Sequence, residues 1–405
     1  MFRSLNNGNT WSAVNNGLIN TFVNALVINS SGHLFTGTEY GGVFRSLDNG
    51  GSWTAFNNGL RSSGSTVVRT LFVNSSGHIF AGTIGGVYRS LNNGSSWTAI
   101  NNGLTNTYVD AFAINSSGYI FAGTSGVFFS LNNGDSWMAA NNGLTNVFVR
   151  ALAINASEHI FAGTSLNGVF RSLDKGGSWM AVNTGLTNTR VQALVINVSG
   201  HIFAGTTGGV FRSLNNGSSW TTVNNGLTDT DVRSFAINSR GHIFVGTFFG
   251  GVFRSLDNGD SWMAVNGGLS NTHALALTIN ASGHIFAGTT GGVFRSIQST
   301  TAVGEREIAG EIPSVFALWP NNPNPFNPST TIKYDLPKQI DVKLEIFDML
   351  ARHVRTLVNQ IQHAGRYTVT WNGRNEQGQA VASGVFVYQL RAGNFTQTRK
   401  MVLVR

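Results

Sequence analysis

Three kinds of residue in this chain could do chemistry, and all three recur at fixed intervals. Histidine holds one repeated position at His33, His78, His159, His201, His242 and His284, with Tyr119 in one copy. Arginine recurs after Phe or Tyr and before Ser at Arg45, Arg89, Arg171, Arg212, Arg254 and Arg295, with Phe129 in one copy. A Ser-x-Asp/Asn-x-Gly box recurs with Asp48, Asp174 and Asp257 but also Asn6, Asn92, Asn132 and Asn215. Imidazoles could ring a metal, guanidiniums could clamp an anion, and carboxylates could act as acids, bases or ligands. A working carboxylate cannot alternate with a neutral amide, whereas a turn residue can. The box is therefore expected to be structural. The histidines sit after a turn, and equivalent positions in a ring of repeats point apart, so they read as solvated turn residues. The arginines read as edge charges.

Other chemistry is thinly supplied. There is no Cys, hence no disulfide, thiolate site or Cys nucleophile. Outside the boxes the main carboxylates of the repeats are Glu39, Asp110, Glu158, Asp229 and Asp231, few for a glycosidase that needs two placed acids. No Gly-x-Ser-x-Gly or His-Glu-x-x-His is present. No catalytic residue, metal or cofactor is expected. The net charge of +8 is spread, +4 over residues 1–300 (14 basic, 10 acidic) and +4 over the rest (12 and 8). Without a basic run, nucleic acid is not an expected partner. No apolar stretch approaches the ~20 residues of a membrane-spanning helix.

The elements that must position these residues follow from the period. The box tryptophans Trp11, Trp53, Trp97, Trp137, Trp179, Trp220 and Trp262 are spaced by 42, 44, 40, 42, 41 and 42 residues. One unit, "VRALAINASEHIFAGTSLNGVFRSLDKGGSWMAVNTGL" (149–186), holds four apolar runs of strand length separated by turn residues. Four antiparallel strands at this period predict a β-propeller blade. Over residues 1–298 the strands predict seven blades, the last completed by "TWSAVNN" (10–16) from the start of the chain. That closure removes sheet edges. Met1–Ser4 is a surplus strand, and "MFRSLNNGNTW" matches "VFRSLNNGSSW" (210–220), so the chain is expected to be truncated at its start.

Function is expected where repeats differ. At the entry of the innermost strand one position varies as Asn24, Arg69, Asp110, Arg150, Gln192, Arg233 and Leu275. These would ring one mouth of the channel and bind an anionic or polar ligand. Phe248 and Phe249, in a loop on the same face, would serve as a sugar or peptide platform. The expected ligand is a glycan or a protein.

The box resembles the Asp-box of sialidases, sortilin-type receptors and several glycosidases, where it lies in a blade hairpin away from the active site. The resemblance implies that Asp48, Asn92, Asn132, Asp174, Asn215 and Asp257 shape turns. Trp53, Trp97, Trp137, Trp179, Trp220 and Trp262 would be buried between blades. The sialidase Arg-Ile-Pro element is absent, there being no Pro before residue 313. A non-enzymatic binding protein is the leading expectation, with a glycoside hydrolase or an assembly scaffold as alternatives.

Composition changes after Ser296. Residues 299–315 read as a linker, and 316–405 as strands of an Ig-like β-sandwich. "NPNPFNPSTTIKYDLP", "AGRYTVTWNGRNEQGQAVASGVFVYQLRAG" and the terminal "RKMVLVR" resemble a C-terminal sorting domain of the bacterial type IX secretion system, related to the Ig-like module of flagellar hook-capping proteins. The resemblance implies recognition by the secretion machinery, with Lys400, Met401, Val402, Leu403, Val404 and Arg405 as the sorting signal. It also implies an extracellular or outer-membrane-surface location.

Overall fold

Each repeat becomes one blade because its apolar runs are strand-length and its breaks are turn residues. A computed structural model describes residues 10–60, 66–144, 147–297, 315–362 and 365–404. The predicted strand Met1–Ser4, the box residue Asn6, nearly all of the 299–315 linker and Arg405 lie outside the described residues. The described residues are all-β, in two compact units, Met1–Ala302 and Val303–Arg405.

The first unit is a seven-bladed propeller of four-stranded antiparallel sheets. In the quoted repeat the strands are Val149–Ile154, Ile160–Thr164, Val169–Ser172 and Met180–Ala181, paired in that order. The last blade is Ala274–Ile279, Ile285–Thr289 and Gly292–Ser296, completed by Trp11–Ala13 from the chain's start, with Trp11 opposite Ser296. No helix of the described residues is long and apolar enough to cross a membrane.

The second strand of each blade is buried on both faces, which is why "IFAGT" has no polar alternation. Its glycine is a packing requirement. A Cβ on Gly163 would lie 2.5 Å from Val191 Cγ1 of the next blade. Tryptophan seals the same interfaces: Trp179 Nε1 donates to Ala140 O of the preceding blade at 2.8 Å, and Trp97 Nε1 to Phe56 O at 2.8 Å. All the box tryptophans are buried.

The box turn explains its own Asp/Asn exchange. Ser46 Oγ accepts from Gly50 N at 2.8 Å and donates to Asp48 Oδ1 at 2.7 Å. Asp48 Oδ1 also accepts from Ser52 N, four residues on, at 2.8 Å, and Asp48 Oδ2 accepts from Ser52 Oγ at 2.8 Å. In the Asn version Ser96 N still donates to Asn92 Oδ1 at 2.8 Å, and the last bond reverses, with Asn92 Nδ2 donating to Ser96 Oγ at 2.8 Å. A serine hydroxyl can donate or accept, so both residues complete the same turn.

Most of the recurrent histidines and arginines prove to be neither solvated turn residues nor plain edge charges. His33, His78, His159 and His201, with Arg45, Arg89, Arg171, Arg212 and Arg295, latch one blade to the next, whereas His242 and His284 bond Asn238 and Ser282 of their own blade. Each latch grips a left-handed residue in the next blade's box, such as Asn93 at φ 59°. Arg45 Nη1 donates to Asn93 O at 2.7 Å, Asn29 Nδ2 to Asn93 Oδ1 at 2.8 Å, and Asn93 Nδ2 to His33 Nδ1 at 2.9 Å. The same grip joins Arg89, Asn74 and His78 to Asn133, and Arg171, Asn155 and His159 to Asn216. The exception falls at one interface. The third blade offers Phe129 and Tyr119 in place of Arg and His, and the box it faces has Lys175 in place of Asn. There Ser116 N donates to Glu158 Oε1 of the fourth blade at 3.1 Å instead. An arginine facing a lysine would repel it, so the three exceptions belong together.

The second unit is an Ig-like sandwich. One sheet is Ala317–Leu318, Thr330–Leu336 and Gly365–Trp371, and the other is His353–Gln362, Ile340–Asp348, Gly384–Ala392 and Phe395–Leu403. Trp371, Tyr334 and Tyr388 lie fully buried in its core. Of the terminal residues, Met401 and Leu403 are buried, Val402 half-buried, and Lys400 and Val404 exposed.

Candidate functional site at the channel mouth

Six innermost strands carry a bulge at one residue. Pairing with the second strand skips from Val23 to Ala25, Val68 to Thr70, Val149 to Ala151, Val191 to Ala193, Val232 to Ser234 and Ala274 to Ala276. The skipped residues are Asn24, Arg69, Arg150, Gln192, Arg233 and Leu275. A bulge bends its strand and re-aims the extra side chain. In the third blade the strand begins at Ala111, and Asp110 takes the place, its N–H bonded to Gly123 O at 2.9 Å. All seven positions line one cavity of about 350 Å³ at the channel. Behind each stands a small residue such as Ala25 or Ala151, then for most a large apolar one such as Leu26 or Phe112. The site is a cup with a mostly polar rim and an apolar deeper wall.

The rim charges are organised. Asp110, whose side chain is only 8% exposed, lies between two guanidiniums: Arg69 Nε bonds its Oδ1, and Arg150 Nη1 its Oδ2 at 3.1 Å. Burial works to lower the Arg69 pKa, but the Asp110 charge and hydrogen bond carry it above its ordinary value. The Arg69 guanidinium also lies 5.0 Å from the Tyr108 ring centre. Arg233 Nη2 pairs with Asp231 Oδ2 at 2.7 Å, and Asn24 Nδ2 donates to Glu39 Oε2 at 2.7 Å.

The two phenylalanines do different jobs. Phe248 is packed in, with the Arg233 guanidinium 4.5 Å over one side and the His273 ring stacked 4.9 Å away. Phe249 stands edge-on to both rings and is 63% exposed. Phe249 alone is the outward platform. Its loop is pinned from below: Asp229 Oδ2 accepts from Phe249 N at 2.7 Å and Gly250 N at 2.8 Å, and Oδ1 from Asp231 N at 3.1 Å. Burial pushes the Asp229 carboxyl up, and these backbone donors more than reverse it.

The structure thus brings together Arg69, Asp110 and Arg150, and separately Arg233 with Phe248. Gln192 and Leu275 line the cup. The anchoring role of Asp229 and the stacking of His273 were not foreseen. Their signal was faint: each falls in the loop just before an innermost strand, on the face of Phe248. A larger open hollow of about 570 Å³ in the second unit, lined by Asn327, Pro328, Asn372, Arg374 and Ala380, gathers no comparable charges. Among the described residues, no three His, Cys, Asp or Glu are placed to hold a metal.

Residues 326–395 match the family described as FlgD Ig-like domain. No curated protein matches the chain. Among solved structures the chain is similar to PorZ, a surface component of the type IX secretion system of Porphyromonas gingivalis, with TM-score 0.60 and 16% identity over 96% of this chain and 60% of that one. It is similar to the extracellular domain of BT3049 of B. thetaiotaomicron, with TM-score 0.62 and 16% identity over 97% of this chain and 57% of that one. It is also similar to the GH74 enzyme of Niastella koreensis, with TM-score 0.53 and 20% identity over 70% and 44%. The chain spans about 60% of the first two structures. At these identities the likeness shows the fold.

Proposed function

We propose that this chain is an exported bacterial binding protein. Its ring holds a glycan or protein ligand at the cup without turning it over, and its Ig-like unit directs passage through the type IX secretion machinery to the cell surface or medium. The observation that carries the binding role is the cup itself: a bulge-set charged rim beside an ordered, exposed aromatic, on the face where the repeats differ.

The absence of turnover is supported by the engagement of the mouth carboxylates. Asp110 serves two arginines, Asp231 serves Arg233, Glu39 serves Asn24, and Asp229 serves backbone N–H groups. A glycosidase needs one carboxyl held protonated opposite another, and Asp229 is held low instead. The serine-mediated Asp/Asn exchange supports kinship of the turn with Asp-boxes. The FlgD Ig-like match and the likeness to PorZ support the export reading, as does a Phe395–Leu403 strand that offers the terminal residues as part of a folded sheet.

A glycan array, a surface-protein pull-down and a chromogenic glycoside screen on the full chain test the ring, with binding and no hydrolysis expected. Turnover abolished by Asp110→Asn or Asp231→Asn would make it a hydrolase. For the export role, deleting 316–405 is expected to leave the protein inside the cell; unchanged surface display would end that reading.

A further inference from the structure

We infer that Arg69, Asp110 and Arg150 form a carboxylate-binding subsite, and that the carboxylate belongs to a polypeptide. This deepens the binding reading and rests on it. One buried acid holds two guanidiniums, through Arg69 Nε and Arg150 Nη1. It offers one negative charge to two positive ones, so the cluster keeps an unmatched positive charge. Among the described residues, neither terminal nitrogen of Arg69 nor Nη2 of Arg150 has a hydrogen-bond partner. The two side chains are 26% and 33% exposed and line the cup, so unused donors open on it. Planar forks oriented by a shared acid suit a carboxylate better than a single flexible cation does. Of the neighbouring acids, Asp231 is paired with Arg233, and Glu39, hydrogen-bonded by the neutral Asn24, keeps its charge but is the least of the influences on Arg69.

The surroundings decide the carrier. The loops on this face expose Ile19, Ile84 and Leu166 as well as Tyr40, Tyr108 and Phe249. Sugar rings gain by stacking on aromatic faces. Exposed isoleucine and leucine gain chiefly by burial against other apolar side chains, which a polypeptide supplies. The fitting partner is an apolar segment bearing an aspartate, a glutamate or a free C-terminus.

The probe is an array of random octapeptides, each with a free or an amidated C-terminus, exposed to the full chain. Bound peptides should combine apolar residues with a carboxylate. Removing that carboxylate, by Glu→Gln in the peptide or by amidation, should weaken binding at least tenfold on the unaltered protein. Arg69→Gln and Arg150→Gln should do the same in variants whose thermal melts match the parent. Binding of neither peptide nor oligogalacturonate, or equal binding after every carboxylate of a bound peptide is removed, overturns the subsite. Binding of oligogalacturonate but no peptide, lost in Arg150→Gln, overturns the polypeptide assignment. A ligand at the mouth indifferent to both arginines overturns this inference while the binding function stands.

Discussion

At the scale of single residues, the box is a test of what hydrogen bonding requires. Asp48 is held at about 2, by Ser46 first and then by Ser52, and Asp174 also at about 2, by Ser178 first. Depressed carboxylates add stability above the unfolded value of ~3.9 that is lost as pH falls toward 2. Above that range Asp48→Asn is expected to shift the melting temperature little, because the amide reproduces the turn. Asp48→Ala should cost roughly 1–2 kcal/mol, the bonds of one partly exposed side chain, read by denaturant unfolding at pH 7. Two of the recurrent histidines, whose rings bond Asn238 and Ser282 of their own blade, bring a second dependence. His242 is pulled down to about 4, by burial first and then by Arg254 and Arg240, and His284 is lowered by burial and Arg295. As pH falls from ~6.5, the unfolded chain protonates before the folded one. Stability is therefore complete above ~6.5 and declines toward 4. Urea midpoints should fall between pH 7.5 and 5, and His242→Gln should flatten part of that fall while His284 keeps the rest.

At the scale of elements, the ring is held by rungs that repeat and by one that does not. Phe129, Tyr119 and Lys175 depart together from the Arg, His and Asn of the other latches. Phe129→Arg alone should destabilise, since it brings a guanidinium toward Lys175. Phe129→Arg with Tyr119→His and Lys175→Asn should recover stability. The coupling, measured by a mutant cycle of unfolding free energies, should be about 0.5–3 kcal/mol; strict additivity would deny that these positions form a unit. Strands, turns and ring closure were legible in the sequence because alternation, glycine placement and period are local. The latch was not, although its residues were noticed. His33 and Asn93 are 60 positions apart, and nothing local says that one blade's turn faces the next blade's box. The split roles of Phe248 and Phe249 were hidden for the same reason, since His273 arrives from another blade.

At the scale of the whole molecule, the two units have separate cores. The cluster around Trp371 and Tyr388 contains residues of the second unit only, and the propeller clusters none of them. Scanning calorimetry of the full chain should show two transitions, and deletion of 316–405 should remove one and leave the other within a few degrees. The sequence alone determined the seven-fold β architecture, the closure through Trp11–Ala13 and the ring of variable positions, because each follows from spacing along the chain. Only the tertiary structure decided what that ring can do. The bulges aim Arg69 and Arg150 into the cup, and the blade order sets Asp110 between them, at separations of 41 and 40 residues. A ring of mixed polar residues thereby becomes an ordered pair of cations, for the physical reason that charge pairing depends on distances in space that the chain's own spacing does not encode.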